Sequence, residues 1–570
     1  MIRNVEIRRF LASIALIFTG FSLIFLGSAA AAPKPNLVLI TIDSARADRM
    51  GFLGAKGALT PNLNRLAGES IVFDHAYAQA PGTVVSHDTI LTGVYPQSTG
   101  LSEIGGTLSP SLPSLPDLLK AQGYHTAAFV GSIDLDPWNG LAQGLDRGFQ
   151  TYEAGFRPVL PGDPRPPVTE RSGAEVVTKA TAWLGHNAQG PFFLWIHIND
   201  ARAARTSYNA ALTSADAAIG KLVAALHAQK LDANTAVVVV ADHGQSLGAH
   251  GEDGHGIFLY DETIHVPLLI RLPEEKPTTK QVTAKVRLVD VAPTLLEIAA
   301  IPVPSQMQGQ SLLRIAKSGG GTDQPVYSRS DFSQRGFGWS PLESWRASKY
   351  LYVRAPKPEL YDLTADPGAT HNLAQSSKAT LDTLAGQLDS FDRRFSGESA
   401  KSATELSTTE MQKLASLGYV GVQHAASSAT AVTGTDPKDK IATANKVVDA
   451  AAAKPDRAIA ALQPITAADN NLYMAEYTLG VAQAQKGQFA DAAKHLHKAI
   501  ELQPDSGWAH YEIGATLLKT GDFKTAAVHL ELATGRLPSF APAHAALAQA
   551  YDHLGRADDA KRERGKAGQK

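Results

Sequence analysis

Five short stretches of nearly continuous apolar sequence constrain this chain more than any other feature. They are NLVLITI (36–42), TAAFVG (126–131), FFLWIHI (192–198), AVVVVA (236–241) and VPLLIRL (266–272). A strand with one wet face alternates apolar and polar residues, and these runs do not alternate. They predict strands covered on both faces, as in a mostly parallel sheet buried between helices. Helix-periodic segments such as SLPDLLKAQG (114–123) and AEVVTKATAWLGH (174–186) fall between the runs, which gives the pattern of an α/β sandwich.

Past Phe395 the composition turns to Ser, Ala, Thr and Gly as far as Thr435, broken by LASLGYVGV (414–422). This reads as a linker with one docked segment. Beyond it the sequence repeats itself at a spacing of 34 residues: Leu479-Gly480 recurs as Ile513-Gly514 and Leu547-Ala548. Gly487, Gly521 and Gly555 keep that phase, as do Ala492, Ala526 and Ala560, and Pro504 and Pro538. Small residues let paired helices approach, glycine ends the first helix and proline closes the unit. These spacings are those of tetratricopeptide repeats, an all-α array, with a weaker leading unit over 436–468.

The N-terminus predicts export. Arg3, Arg8 and Arg9 precede an apolar run over 10–27, and small residues over 28–32 lead to Pro33. This is the layout of a secretory signal peptide, with cleavage expected after Ala30 or Ala31. An uncleaved membrane anchor is the alternative, because the run approaches spanning length. Either way the bulk of the protein is expected outside the cytoplasm: periplasmic, secreted, or anchored and facing the periplasm. The expected organisation is a signal peptide (1–31), an α/β domain (34–395), a linker (396–435) and a repeat domain (436–570). Lys and Arg number 53 against 55 Asp and Glu, with no block of like charge, so nucleic acid is not an expected partner. The chain has no cysteine, which excludes disulfides, thiolate metal sites, a cysteine nucleophile and a lipoprotein anchor.

Two carboxylates stand directly after apolar runs: Asp43 after LVLITI and Asp242 after VVVVA. Ligands gather at the carboxyl ends of strands in open α/β sheets. Two carboxylates there, with His243 beside the second, suit a hard cation. Taken singly, each aspartate also reads as a helix cap or turn residue. Thr83, in APGTVVSHDTILTG (80–93), has the same two faces. It is a helix cap by position, and a nucleophile if a metal or base activates its hydroxyl at a helix mouth that favours anions.

Several segments together resemble the sulfatase-like branch of the alkaline phosphatase superfamily. They are TIDSARADRMG (41–51), TPNLNRLAGES (60–70), FDHAYAQAPGTVVSHDTILTGVYPQSTG (73–100), GYHTAAFVG (123–131), GLDRGF (144–149), ADHGQSLGAHGEDGHGIFLYDETIHVPLLI (241–270) and PELYDLTADPGATHNLA (358–374). The resemblance runs in order through about 34–395. It implies a sulfatase-like α/β sandwich followed by the repeats. It also implies one divalent metal ion (Mn, Zn or Ca) held by Asp43, Thr83, Asp242 and His243. Ser44 stands where many sulfatases carry a second metal aspartate, and Arg46 with Asp48 matches a buried support pair. Thr83 falls where sulfatases carry the cysteine or serine that becomes formylglycine, and threonine cannot form that aldehyde. The resemblance therefore implies a hydroxyl nucleophile, with His255, His87 and His197 matching positions around the transferred group and the leaving oxygen. His125, His250 and His265 read as strand-end or loop residues.

The function implied is an exported metal-dependent hydrolase of sulfate or phosphate esters, with phosphate favoured by Thr83. Its substrate is expected to be a small-molecule or envelope ester. A transferase acting on the cell envelope, and a decayed binding protein using its repeats, are the alternatives. A protein partner is expected at the concave face of the repeats, and membrane contact only if the N-terminal segment is uncleaved. Two departures stand out: Val85 replaces a usual proline, and Asp200-Ala201-Arg202 replaces a longer Asp-Pro-His-Pro-Tyr type loop. The second leaves ligands for one metal at most.

Overall fold

The computed structural model describes residues 34–99, 101–102, 105–158, 167–203, 207–273, 280–317, 323–395, 406–417, 419 and 434–568. The expected signal peptide and most of the expected linker lie outside the described residues. Pro35–Lys570 is one compact unit, and among the described residues no helix is long and apolar enough to cross a membrane.

The central sheet has eight strands: β1 (Asn36–Ile42), β2 (Ile71–Tyr77), β3 (His125–Phe129), β4 (Thr151–Glu153), β5 (Phe192–Ile198), β6 (Thr235–Ala241), β7 (His265–Arg271) and β8 (Gln281–Arg287). Their order is β8-β2-β7-β6-β1-β5-β3-β4. All pairings are parallel except those of β7, which runs against both β2 and β6. Every residue of β1, β5 and β6 is buried, so the continuous apolar runs mark the strands covered on both faces. The strands that the apolar runs do not mark have a reason to be inconspicuous. β8 is an edge strand whose burial alternates, and β2 mixes Asp74 and His75 into its apolar residues. A second sheet, antiparallel and four-stranded, spans Val326–Ser330, Leu342–Ala347, Tyr350–Arg354 and Glu359–Asp362. Its Trp345 and Tyr352 pack with Leu384 and Leu388 of the Lys378–Phe395 helix.

The described C-terminal part is four helix pairs: Ile441–Ala451 with Pro455–Ala468, Tyr473–Gln485 with Phe489–Leu502, Gly507–Thr520 with Phe523–Arg536, and Ala541–His553 with Ala557–Ala567. Close packing explains the repeated glycine. A Cβ on Gly480 would stand 2.7 Å from Leu496 Cγ, and one on Gly514 would stand 2.6 Å from Leu530 Cγ. The turns between repeats dock along one edge onto the α/β domain. Arg335 Nη2 meets Asp505 Oδ2 at 3.2 Å, and Gln143 Nε2 donates to Arg536 O at 3.0 Å. Within the stretch read as a linker, Ser407 and Glu410 form a capping box on a Thr408–Ser416 helix. Leu414 and Tyr419 of that segment pack against Leu496 and Ile500 of the repeats.

Gly514→Val overpacks the third helix pair, and overpacking costs about 1–3 kcal/mol. Because repeats are stabilised by their neighbours, the damage stays local. Hydrogen exchange should quicken in Gly507–Thr520 and Phe523–Arg536 while the amides of β1 keep their protection.

Candidate active site

The parallel register of β1 with β6 sets Ile42 beside Ala241, so the next residues, Asp43 and Asp242, emerge side by side at the carboxyl edge. The backbone then turns through Ser44 in the left-handed region, at φ 60°. That turn ties the carboxylates together. Ser44 N donates to Asp242 Oδ1 at 3.1 Å, and Ser44 Oγ donates to Asp43 Oδ1 at 2.7 Å. His243 N also donates to Asp242 Oδ1, at 2.7 Å. Ser44, which stands where a second metal aspartate is usual, is thus a bridge between the two carboxylates. Arg46 and Asp48 do pair, at 2.7 Å, but not as a buried pair: the Asp48 side chain is 54% exposed, on a surface 3-10 turn over Ala47–Arg49. The loops are held instead by Arg46 Nη1 donating to Gln245 O at 2.9 Å and by Tyr208 OH donating to Ser44 O at 2.8 Å.

Thr83 is the first residue of the Thr83–Thr92 helix, whose cap residue is the extended Gly82. Val85 does not prevent the helix from starting at Thr83. The threonine side chain does not cap the helix. It turns towards the carboxylates, with Oγ1 donating to Asp43 Oδ2 at 3.2 Å and standing 3.2 Å from His243 Nε2. All of these groups are buried.

Carbonyl partners fix the histidine tautomers, because a carbonyl oxygen only accepts. His243 Nδ1 donates to Gly244 O at 2.8 Å and His255 Nδ1 to Pro81 O at 3.1 Å, so each keeps its Nε2 lone pair. The two rings lie 4.2 Å apart. His197 is the reverse: Gly131 N donates to its Nδ1 at 3.3 Å, which puts the hydrogen on Nε2, 3.4 Å from Asp43 Oδ2. His87, expected to face the transferred group, has both ring nitrogens engaged inside the fold. Nδ1 donates to Thr83 O at 2.7 Å, and Nε2 accepts from Thr41 Oγ1 at 2.9 Å. His250 stacks on Tyr260 at 3.7 Å within its loop, and His265, at the start of β7, donates from Nε2 to Asp74 O of β2 at 2.8 Å.

Burial dominates the electrostatics. It holds His243 down at about 4, and holds His87 and His255 well below the usual histidine value, so these rings are neutral. Burial pushes Asp242 well above the usual carboxylate range, and the charge of Asp43 pushes it further. For Asp43 burial acts upwards, yet His197, Arg202 and His243 outweigh it and hold the carboxyl well below that range.

Asp43, Asp242 and His243 offer one ligand atom each, all within 4.8 Å of one another. Asp242 Oδ2 is buried without a hydrogen-bond partner, and His243 Nε2 carries a lone pair. A buried, unsatisfied carboxylate oxygen beside a second carboxylate and a neutral imidazole fits a divalent cation. His87, His197 and Asp242 form an overlapping group. Two neighbours carry no strong sequence signal. Asn199 is buried with neither amide atom partnered, and Arg202 Nη1 reaches to 3.8 Å from Asp43 Oδ2. Each is simply a polar residue after a strand until β5 ends beside β1.

Asp242 binds its proton more tightly folded than unfolded, so its contribution to the metal-free protein is lost as pH rises. Relative to Asp242→Asn, the melting temperature of the metal-free wild type should fall as pH rises above about 4, where an ordinary aspartate ionises, whereas the buried neutral His87, His243 and His255 act in the opposite sense, up to about 6.5, in both proteins. Saturating metal at a hundredfold excess over Kd stabilises a binding-competent fold by about 2.7 kcal/mol. Thermal unfolding with Mn²⁺ should show this gain in the wild type and not in Asp242→Asn.

The sulfatase family model matches residues 35–301, the model for the C-terminal part of N-sulphoglucosamine sulphohydrolase matches 251–393, and a tetratricopeptide-repeat model matches 480–521. An ulvan-active sulfatase of Formosa agariphila is 27% identical over 62% of this chain and 80% of its own length. Arylsulfatase K of Rattus norvegicus is 24% identical over 63% of this chain and 78% of its own. The crystal structure of the phosphonate monoester hydrolase of Agrobacterium radiobacter superposes with a TM-score of 0.53 at 18% identity, over 63% of this chain and 96% of that one, which is a likeness of fold. The chain thus carries a sulfatase-family domain of the alkaline phosphatase superfamily, an ester hydrolase, followed by a C-terminal tetratricopeptide repeat.

Proposed function

We propose that the enzyme hydrolyses phosphate esters through the Thr83 hydroxyl. The observation that carries this reading is the position of Thr83 Oγ1, 3.2 Å from both Asp43 Oδ2 and His243 Nε2 at a helix mouth. Threonine bears a methyl on Cβ, so its oxidation gives a ketone and not the aldehyde on which sulfate-ester chemistry in this family relies. A hydroxyl nucleophile suits phosphate. Asp43, Asp242 and His243 would hold one divalent cation, which when bound supplies Lewis acidity to the ester oxygens and acidifies the Thr83 hydroxyl. Imidazole among the ligands favours manganese or zinc over calcium.

Asp43 Oδ2 accepts the hydrogen bond of the Thr83 hydroxyl and stands ready for its proton. The Oγ1–P bond forms as the bond from phosphorus to the leaving oxygen breaks. His197 presents an Nε2–H to that oxygen, and His255 presents a lone pair to the water that cleaves the threonine ester. His87 anchors the Thr83 carbonyl and so fixes the nucleophile. The start of the Thr83–Thr92 helix faces the charge on the reacting group. Arg3, Arg8, Arg9 and the apolar run over 10–27 support an exported enzyme, periplasmic or secreted, acting on a soluble or envelope ester. The repeats favour a protein partner.

The test compares aryl phosphate, bis-aryl phosphate and aryl sulfate on purified protein stripped of metal and reloaded with Mn²⁺, Zn²⁺ or Ca²⁺. Metal-dependent turnover of a phosphate ester should fall about 10³-fold or more in Thr83→Ala. Turnover that survives this substitution would remove Thr83 as nucleophile. Faster turnover of aryl sulfate would overturn the preference for phosphate.

A further inference from the structure

The short helix Asp200–Ala203 follows β5 directly, at the edge of the sheet where Asp43 emerges. It is pinned from two sides: Gly173 N donates to Asp200 Oδ2 at 2.6 Å, and Ser214 Oγ donates to Asp200 Oδ1 at 2.7 Å. This holds Arg202 at the rim. Its Nη1 bonds Asp134 Oδ2 and lies 3.8 Å from Asp43 Oδ2. Among the described residues it is the one arginine or lysine paired with either site carboxylate. It is also open to solvent. The Arg202 side chain is 30% exposed, while those of Asp43, Asp242, His87, His197 and His243 are 0% exposed. A permanent cation thus stands where the buried site meets the outside, beside rings that burial keeps neutral.

We propose that Arg202 contacts the substrate, gripping two non-bridging oxygens of the esterified group, and that the site thereby selects monoesters over diesters. This rests on the reading of Thr83 as nucleophile towards phosphate. The planar guanidinium matches two adjacent oxygens of a tetrahedral anion, a geometry that an ammonium cannot reproduce. Nη1 is oriented by Asp134, and Nη2 and Nε carry further N–H groups. A monoester keeps three non-bridging oxygens. With one turned towards Asp43, Asp242 and His243, two remain for the fork. A diester keeps two, and only one remains. Asp200-Ala201-Arg202 thus supplies, in a shortened loop, an anion contact of its own.

The test uses the full-length metal-loaded enzyme and the variants Arg202→Ala and Arg202→Lys, with Thr83→Ala alongside. Removing one preorganised contact to developing charge costs about 10²–10³-fold. Arg202→Ala should lose that much kcat/KM on aryl phosphate and less than about tenfold on bis-aryl phosphate, which lacks the oxygen that the fork would hold. Arg202→Lys keeps the charge and should recover only part of the loss. Free guanidinium should rescue Arg202→Ala and not Arg202→Lys. Calorimetric binding of inorganic phosphate needs no turnover, and its Kd should rise at least tenfold in Arg202→Ala. Equal losses on the two esters, a wild type that prefers the diester, or an unchanged phosphate Kd would each overturn the proposal. If Thr83→Ala stays active while Arg202→Ala loses phosphate binding, the nucleophile assignment fails and the anion contact stands.

Discussion

The site depends on one constraint: two carboxylates, Asp43 and Asp242, are buried side by side at the ends of neighbouring parallel strands. Like charges in a dry site repel, and neither can be hydrated. The protein answers with a low carboxyl at Asp43 and a raised one at Asp242, three donors shared between them from Ser44 and His243, and a lone pair from His243 Nε2. A pair like this is costly as structure alone. It is intelligible as a place for a cation, and the same cost makes it a sensitive gauge of whether a cation is there.

The second layer is the set of backbone groups, two carbonyls and one amide, that fix which nitrogen of each histidine carries hydrogen. Gly244 O and Pro81 O leave His243 and His255 with lone pairs on Nε2, while Gly131 N gives His197 an Nε2–H. These partners lie on loops after β6, after β2 and after β3. The chemistry of the imidazoles is therefore written by loop geometry, and burial keeps His87, His243 and His255 uncharged. Arg202 differs in kind, since it is charged at any ordinary pH and reaches the site from the rim.

The repeats are not a tethered appendage. Their inter-repeat turns meet the α/β domain at Arg335 and Gln143, and their first helix reaches the loop before His255. There Asn445 Nδ2 donates to Gly251 O at 2.8 Å, and Asp253 N donates to Asn445 Oδ1 at 3.3 Å. The Thr408–Ser416 helix adds a brace through Glu410, whose Oε1 accepts from Arg536 Nε at 2.7 Å. Docking along one edge keeps the array in a fixed place relative to the loop before His255.

By itself the sequence determined the elements that repeat or run unbroken. Apolar runs gave β1, β3, β5, β6 and β7, because strands buried on both faces have no polar position to spare, and the 34-residue phase gave the helix pairs. The residues after β1 and β6 were legible as a cation site for the same reason, since acidic residues at strand ends are conspicuous against such runs. Strands with a wet face, such as β8, left a fainter pattern. What only the tertiary structure decided is which way side chains face across the sheet edge. It turned His87 inward to Thr83 O and Thr41, left Asp48 at the surface, used Ser44 as a bridge, and brought Arg202 and Asn199 to the site. Those outcomes depend on strand order and loop approach over separations of 40 to 200 residues along the chain. Local sequence carries little signal for them, because deciding partners such as Thr41 for His87, Asp242 for Ser44 and Asp43 for Arg202 lie far away along the chain.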